Sequence, residues 1–174
     1  FNSINDLTEY VNKNHLTHFL NCIGGKSVGY SKLYPLEDFK SNVECPVKIL
    51  YALNRCENKI HFTHISSAGV YGEQNADDKL NFTFSPYAIH KQAFDRLLRS
   101  MPTKNLKHLI VRPFSVYGPG LKKQLLWDSY NKFKSNEGSF FFGTGKELRS
   151  FIYIDDLCSI ILEHIEQDIT GLID

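Results

Sequence analysis

The sequence predicts an α/β domain built on a doubly wound, parallel β-sheet. Short apolar segments typical of strands alternate with longer segments whose apolar residues recur at helical spacing. The chain has 174 residues, 42% of them hydrophobic, which is enough for one domain with a packed core. It contains no internal repeat and no low-complexity tract, and no linker is evident.

The predicted elements follow from local patterns. Helices are assigned where apolar residues lie three or four positions apart, as Ile4, Leu7 and Val11 do. Pro46 removes a backbone donor inside the second helix, so we expect a kink or a break there. In chain order the elements are helix 4–13, strand 18–23, helix 36–55, strand 59–66, helix 84–101, strand 107–112, helix 121–134, strand 140–143, helix 154–166 and an unfinished apolar segment 171–174.

Composition and charge exclude several classes of function. The net charge is +1, which gives no electrostatic basis for binding nucleic acid or a membrane surface. No apolar run approaches the ~20 residues that cross a bilayer, and no signal-peptide pattern opens the chain. The four cysteines lack C-x-x-C spacing, so neither a zinc site nor any other metal site is predicted. We expect a cytoplasmic protein with reduced thiols.

Two segments carry the chemistry, residues 65–72 and 85–91. Tyr87 and Lys91 are four positions apart, so on a helix they share one face. A free phenol has a pKa near ~10, and a nearby ammonium is expected to lower that pKa. Such a pair could move a proton on or off a hydroxyl that is being oxidised.

Context distinguishes this pair from a chance occurrence. Tyr130 and Lys134 have the same spacing, and we interpret them as surface residues. Only Tyr87 follows a strand that ends in Ser66-Ser67. Hydroxyl residues at that position lie at the carboxyl edge of a parallel sheet, where ligands bind in open α/β folds.

The combination Ser-Ser-x-x-Val-Tyr-Gly followed by Ser-Pro-Tyr-x-x-x-Lys resembles the extended short-chain dehydrogenase/reductase family, which includes nucleotide-sugar 4-epimerases, dehydratases and 4-ketoreductases. The resemblance implies a Rossmann-type sheet with its first strands missing. It implies a partial cofactor-binding domain in residues 1–113 and a small substrate-binding lobe with return segments in 114–174. No Gly-rich pyrophosphate turn precedes residue 24, so we expect the biological chain to be longer. Further matching segments are 22–29, 42–43, 111–120, 142–145 and 149–156.

The resemblance also implies roles for individual residues. Tyr87 would exchange a proton with the sugar oxygen, Lys91 would hold the nicotinamide ribose, and Ser67 would hydrogen-bond the same sugar oxygen. The implied cofactor is NAD or NADP, and the implied substrate is a nucleoside-diphosphate sugar. Contacts to the cofactor are expected from Gly24, Gly25, Lys26, Asn42, Ser66, Tyr87, Lys91 and Pro113. Contacts to the substrate are expected from Ser67, Ser115, Phe142 and Arg149.

Several of these interpretations stay open. Phe142 could stack on the nucleotide base or belong to an ordinary strand face. A homodimer is implied by the resemblance alone, through the helices after Pro35 and after Phe84. His61 and His64 point to opposite faces of a strand and are expected to be packed histidines. His90, between Tyr87 and Lys91, is expected to point away from them and to have no role.

Departures from the family pattern narrow the predicted activity. Ala68 and Gly69 occupy the positions of the acidic pair that dehydratases use, which argues against loss of water from the sugar. Ser115 replaces an asparagine and mildly favours a 4-keto substrate or an unusual sugar. We therefore predict an NAD(P)-dependent 4-epimerase that transiently oxidises C4 of the sugar. The alternatives are an NAD(P)H-dependent 4-keto-6-deoxysugar reductase and a non-catalytic dinucleotide-binding member of the family.

Overall fold

A four-stranded parallel sheet forms the centre of the fold. The computed structural model describes residues 3–25, 27–74, 82–101, 104–135, 146 and 148–174, so Lys26, Phe142 and the predicted strand 140–143 lie outside the described residues. The strands are β1 (His18–Asn21), β2 (Ile60–Ile65), β5 (Leu106–Val111) and β8 (Gly171–Ile173), in the spatial order β1-β2-β5-β8. All three pairings are parallel, which confirms the predicted arrangement of the first three strands.

Helices cover both faces of this sheet, as a doubly wound fold requires. Alternate residues of a strand point to opposite faces, and the two faces of β5 belong to separate apolar clusters. Leu106 and Ile110 pack with helices α1 (Ile4–Lys13), α4 (Cys45–Leu53) and α5 (Pro86–Ser100). Leu109 and Val111 pack with helix α7 (Ile154–Glu166). The helices are α1 (Ile4–Lys13), α2 (Val28–Leu33), α3 (Pro35–Phe39), α4 (Cys45–Leu53), α5 (Pro86–Ser100), α6 (Gln124–Lys134) and α7 (Ile154–Glu166).

Two pairs of short strands lie outside the central sheet. Strands β3 (Glu73–Gln74) and β4 (Phe82–Thr83) are antiparallel, and β6 (Ser115–Tyr117) pairs in parallel with β7 (Phe151–Tyr153). The division of the chain at residue 113 stays a prediction. Strand β8 follows that residue and is the fourth strand of the central sheet. Helix α7 also follows it and packs against that sheet, as return segments would.

The helix expected to kink or break at Pro46 does not break there, because the chain stays helical through this residue. Residues Lys40–Glu44 form a π-helix between α3 and α4, and the N–H of Cys45 donates to the carbonyl of Lys40. Pro46 then lies in the first turn of α4, where a missing N–H costs little. The wider turn accommodates the proline without ending the helix.

Other differences concern the ends of elements. Strand β1 stops at Asn21, two residues earlier than expected, because the Asn21 side chain accepts a hydrogen bond from Ile23 N at 3.2 Å and turns the chain. Helix α2, which the sequence interpretation missed, begins where Ser27 caps Tyr30 N. None of the helices in the described part of the chain combines the length and apolar character needed to cross a lipid bilayer.

Candidate active site

Ser67 and Tyr87 meet at the carboxyl edge of the sheet. Ser67 follows β2 and caps a 3-10 turn, Ala68–Tyr71, by accepting from Gly69 N at 3.1 Å. Tyr87 lies in the first turn of α5, which Ser85 caps by accepting from Ala88 N at 3.2 Å. Both side chains line one cleft, and a Cβ at Gly69 would lie 3.4 Å from Ser67 Oγ and 4.0 Å from Tyr87 Cε1. The two predicted segments therefore do converge on one position.

The pKa of the Tyr87 phenol is raised, not lowered as expected from its spacing to Lys91. Burial is the main cause, the charge of Asp38 adds to it, and the interaction with Ser67 opposes it. The Lys91 amine donates to the backbone carbonyl of Ile65 at 2.9 Å. Desolvation of the phenol therefore outweighs any effect of the ammonium one turn along the helix.

Lys91 is buried, with 3% of its surface exposed. Desolvation lowers its pKa from 10.5 to about 8, against the opposing effects of Asp95, Asp38 and Cys22. At neutral pH the amine is therefore still mostly protonated. A buried amine whose pKa lies this close to neutrality is typical of functional sites.

A glycine turn after β1 packs directly against Lys91. A Cβ at Gly24 would lie 2.9 Å from Lys91 Nζ, and one at Gly25 would lie 2.0 Å from Asp38 Oδ1. Gly25 N donates to Asn42 Oδ1 at 3.0 Å, and Asn42 is fully buried on the π-helix. Only glycine fits this close approach of backbone to side chains. The structure thus brings together four of the predicted cofactor contacts, Gly24, Gly25, Asn42 and Lys91.

Buried polar atoms beside this turn are unsatisfied. Asp38 Oδ1 and Asn42 Nδ2 have no hydrogen-bond partner among the described residues. A buried acceptor and a buried donor without partners cost free energy, and such groups are typical of sites that bind something. Among the described residues, no group of three or more His, Cys, Asp or Glu side chains is placed to hold a metal ion.

Ser66 has a structural partner. Its hydroxyl donates to Asp95 Oδ2 at 2.9 Å, and Arg112 Nε donates to the same oxygen at 2.9 Å. Arg112 Nη1 donates to the Tyr71 hydroxyl at 2.8 Å. Burial raises the pKa of Asp95, against the opposing effects of these two donors. This network joins the ends of β2 and β5 to helix α5.

Two adjoining clefts open at this edge of the sheet. The larger, of about 710 Å³, is lined by Ser67, Pro113, Ser115 and Arg149 among others. The smaller, of about 300 Å³, contains Tyr87. Ser67 lines both, so the predicted substrate contacts Ser67, Ser115 and Arg149 share one cavity with the predicted cofactor contact Pro113.

The sequence interpretation missed Asp38, His90, Asp95 and Arg112. His90 was expected to have no role, yet its Nδ1 lies 2.7 Å from Asp38 Oδ2. Asp95 follows Lys91 by four residues on one helix. That spacing places the two side chains on one helix face and could have identified Asp95 as a neighbour of Lys91. His61 and His64 are packed as expected, His61 on the carbonyl of Ile169 and His64 against Asn21.

Two curated relatives match parts of the chain. An ADP-L-glycero-D-manno-heptose-6-epimerase from Brachyspira hyodysenteriae is 34% identical over 134 residues, which is 70% of this chain and 42% of that protein. An uncharacterised protein of Schizosaccharomyces pombe is 33% identical over 120 residues, 61% of this chain and 33% of its own length. The chain therefore spans less than half the length of these relatives.

Solved structures share the fold. A UDP-N-acetylglucosamine 4-epimerase from Methanobrevibacter ruminantium superposes with a TM-score of 0.79 at 24% identity, over 97% of this chain and 56% of that one. A UDP-glucuronic acid 4-epimerase from Bacillus cereus, solved with UDP-glucuronic acid and NAD, gives a TM-score of 0.75 at 23% identity, over 96% and 55% of the two chains.

The family model extends over almost the whole chain. The model of the NAD dependent epimerase/dehydratase family matches residues 2–172. That range contains the serine pair after β2, the first turn of α5 and the glycine turn after β1. The chain belongs to the NAD dependent epimerase/dehydratase family.

Proposed function

We propose that the full-length protein is an NAD-dependent nucleotide-sugar 4-epimerase, with Ser67, Tyr87 and Lys91 as its catalytic residues. The observation that carries this proposal is that Ser67 and Tyr87 line one cleft side by side, while Lys91 is buried one turn along the helix of Tyr87. A hydroxyl–phenol pair at a cleft, with a cation nearby, suits proton exchange with a sugar hydroxyl.

The glycine turn after β1 fits a dinucleotide cofactor. Gly24 and Gly25 leave the space that a Cβ would fill. Asn42 Nδ2 and Asp38 Oδ1, which have no hydrogen-bond partner in the described part of the chain, lie beside them. Gly24, Gly25, Asn42 and Lys91 would hold the cofactor, and Lys26 and Pro113 are further proposed contacts. The family description and the NAD bound in the Bacillus cereus relative favour NAD over NADP. When bound, NAD supplies the hydride acceptor and donor.

Tyr87 is the proposed general base and acid. It accepts the proton of the sugar 4-hydroxyl while the C4 hydrogen leaves as hydride, and it returns a proton once the 4-keto sugar has turned its other face. Ser67 hydrogen-bonds the same sugar oxygen and holds it at the phenol. Burial raises the pKa of Tyr87 and the interaction with Ser67 opposes that rise, so Ser67 is the group that favours loss of the phenolic proton.

The larger cleft is the proposed binding site of a nucleoside-diphosphate sugar. Its volume of about 710 Å³ lies within the range of small-molecule sites. Arg149 lines it and has the planar fork that pairs with diphosphate oxygens. Phe142 stays a proposed contact to the base. The 4-epimerases among the structural relatives act on UDP-sugars, which supports a nucleotide-sugar substrate.

A reductase is the second candidate, favoured by the small Ser115 in the substrate cleft. The two are separated by incubating full-length protein with UDP- and dTDP-hexoses and following both sugar epimers and NADH absorbance. We expect epimers to interconvert with no net change in the cofactor. Stoichiometric consumption of NADH or NADPH with a 4-keto sugar would replace the epimerase by the reductase.

We further propose a homodimer formed through α3 and α5. Leu36 on α3 is 71% exposed and Ile89 on α5 is 52% exposed, and the two helices pack against each other. Exposed apolar residues on adjoining helices favour an interface between copies of the chain. The mass of the full-length protein in solution tests this: twice the chain mass is expected, and the chain mass alone would exclude it.

A further inference from the structure

A buried carboxylate–imidazole pair lies beside the candidate catalytic residues. Asp38 on α3 is fully buried, and its Oδ2 lies 2.7 Å from His90 Nδ1. His90 is on α5 between Tyr87 and Lys91, and its ring meets that of Phe39 edge-on at 5.5 Å. The pair therefore joins α3 to the helix that carries both catalytic side chains.

The second oxygen of Asp38 faces the glycine turn. A Cβ at Gly25 would lie 2.0 Å from Asp38 Oδ1 and 2.6 Å from Asn42 Nδ2. The backbone of Gly25 is tied to Asn42 by its N–H. One carboxylate on α3 thus contacts two further segments of the site, α5 and the turn that we assign to the cofactor.

We propose that Asp38, held by His90, is a positioning residue that fixes the Gly24–Gly25 turn against helix α5 and places a negative charge beside both Tyr87 and Lys91. This proposal rests on the proposed function for its catalytic meaning. The geometry on which it stands, a fully buried carboxylate between the turn and α5, does not depend on which sugar is bound.

The charges around the site agree with this role. Burial raises the pKa of Tyr87, and the charge of Asp38 raises it further. Lys32 lines the same small cleft as the Tyr87 phenol. Desolvation lowers the pKa of Lys91, and Asp95, Asp38 and Cys22, in that order, oppose this lowering. Burial lowers the pKa of His64, and the charge of Lys91 lowers it further. Asp38 is thus the carboxylate that acts on both members of the pair.

A titration of Lys91 tests the proposal without turnover. Lysine labelled with ¹³C at Cε in the full-length protein gives a resonance for Lys91 that should titrate near pH 8, far below an ordinary lysine, and that disappears in Lys91→Met. In Asp38→Asn, which keeps the size and can still accept from His90, the midpoint should move to lower pH. An unmoved midpoint in folded Asp38→Asn would overturn the proposal.

Glu37→Gln is the matched control, because Glu37 is an exposed acid one residue away on the same helix. It should leave the Lys91 midpoint unchanged. An equal shift in Asp38→Asn and Glu37→Gln would mean that the midpoint follows the net charge of the protein rather than Asp38, which would contradict the proposal. If the full-length protein titrates as expected but epimerises no sugar, the positioning role stands and the proposed activity fails.

His90 variants supply a second test in case Asp38→Asn does not fold. His90→Ala leaves Asp38 buried without its partner, which favours the protonated acid and should lower the Lys91 midpoint. His90→Gln keeps a donor for Asp38 and should restore the midpoint towards the wild-type value. Identical midpoints in wild type, His90→Ala and His90→Gln would contradict the claim that His90 holds a charged Asp38.

Discussion

At the end of strand β2, two adjacent serines have different partners. Ser66 is buried and donates to Asp95, whereas Ser67 lines both clefts and shares the smaller one with Tyr87. The family resemblance implied that Ser66 contacts the cofactor. The contacts of its hydroxyl support a structural role. Successive residues of a strand point to opposite faces, so neighbouring serines can have different partners.

Replacing each serine by alanine should separate these roles. Ser67→Ala should lower kcat by about 10²-fold, as loss of one hydrogen bond at the reacting oxygen does elsewhere. Ser66→Ala should leave kcat near the wild-type value but destabilise the fold by about 1–3 kcal/mol, because it removes a donor from buried Asp95. Steady-state kinetics and denaturant unfolding of both variants check this. A larger loss of kcat in Ser66→Ala would contradict the assignment.

The lowered pKa of Lys91 makes stability depend on pH. Its pKa is about 8 in the fold against 10.5 for the free side chain, so the unfolded chain binds more protons between these values. Stability should therefore rise with pH from about 8 to 10.5, and the cost of the buried ammonium is fully present below pH 8. That cost is up to about 3 kcal/mol.

Lys91→Met should remove this pH dependence together with activity. The unfolding free energy of wild type, measured relative to Lys91→Met, should increase as the pH rises from about 8 towards 10.5. Urea unfolding at fixed pH values provides the measurement. Parallel stability profiles for the two proteins would show that Lys91 titrates normally in the fold.

The glycine turn after β1 is the part of the site with the least room for a larger side chain. Gly25 lies against Oδ1 of Asp38, a buried carboxylate that His90 holds through Oδ2, so the carboxylate cannot move aside freely. Gly29, four residues along the chain in α2, has no atom within 4 Å of its Cβ position. The two glycines therefore form a matched pair.

Gly25→Ala should cost about 1–3 kcal/mol of stability through overpacking and should weaken NAD binding. Gly29→Ala should be neutral or stabilise by up to about 1 kcal/mol, because alanine is the better helix residue. Thermal unfolding and calorimetric titration with NAD measure both effects. Equal behaviour of the two variants would mean that the turn is not packed as described.

Local patterns predicted the presence of elements better than their ends. Helices 4–13 and 154–166 match α1 and α7 at both ends, because apolar residues at helical spacing run along both helices and Ser3 caps the first of them. The break expected at Pro46 failed because a π-helix, which leaves no simple sequence pattern, absorbs the proline. Helix α2 was missed because six residues are too few to establish a helical period.

For the molecule as a whole, the order of strands was predictable and the buried charges were not. The alternation of strands and helices leads to few parallel topologies, and β1, β2 and β5 follow the expected one. Asp38 and Asp95 are buried because partners from distant segments meet them, His90 for one and Arg112 for the other. A single sequence does not reveal such long-range pairing.

The measurement that tests the central claim most directly compares Tyr87→Phe with Tyr130→Phe in the epimerisation assay. Both tyrosines precede a lysine by four residues on a helix, but Tyr130 is 59% exposed and lines neither of the two clefts at this site. Tyr87→Phe should lower kcat by about 10²–10⁴-fold, the range expected for general acid–base catalysis, and Tyr130→Phe should not change it. Unchanged turnover in Tyr87→Phe on every sugar that the wild type converts would contradict the account.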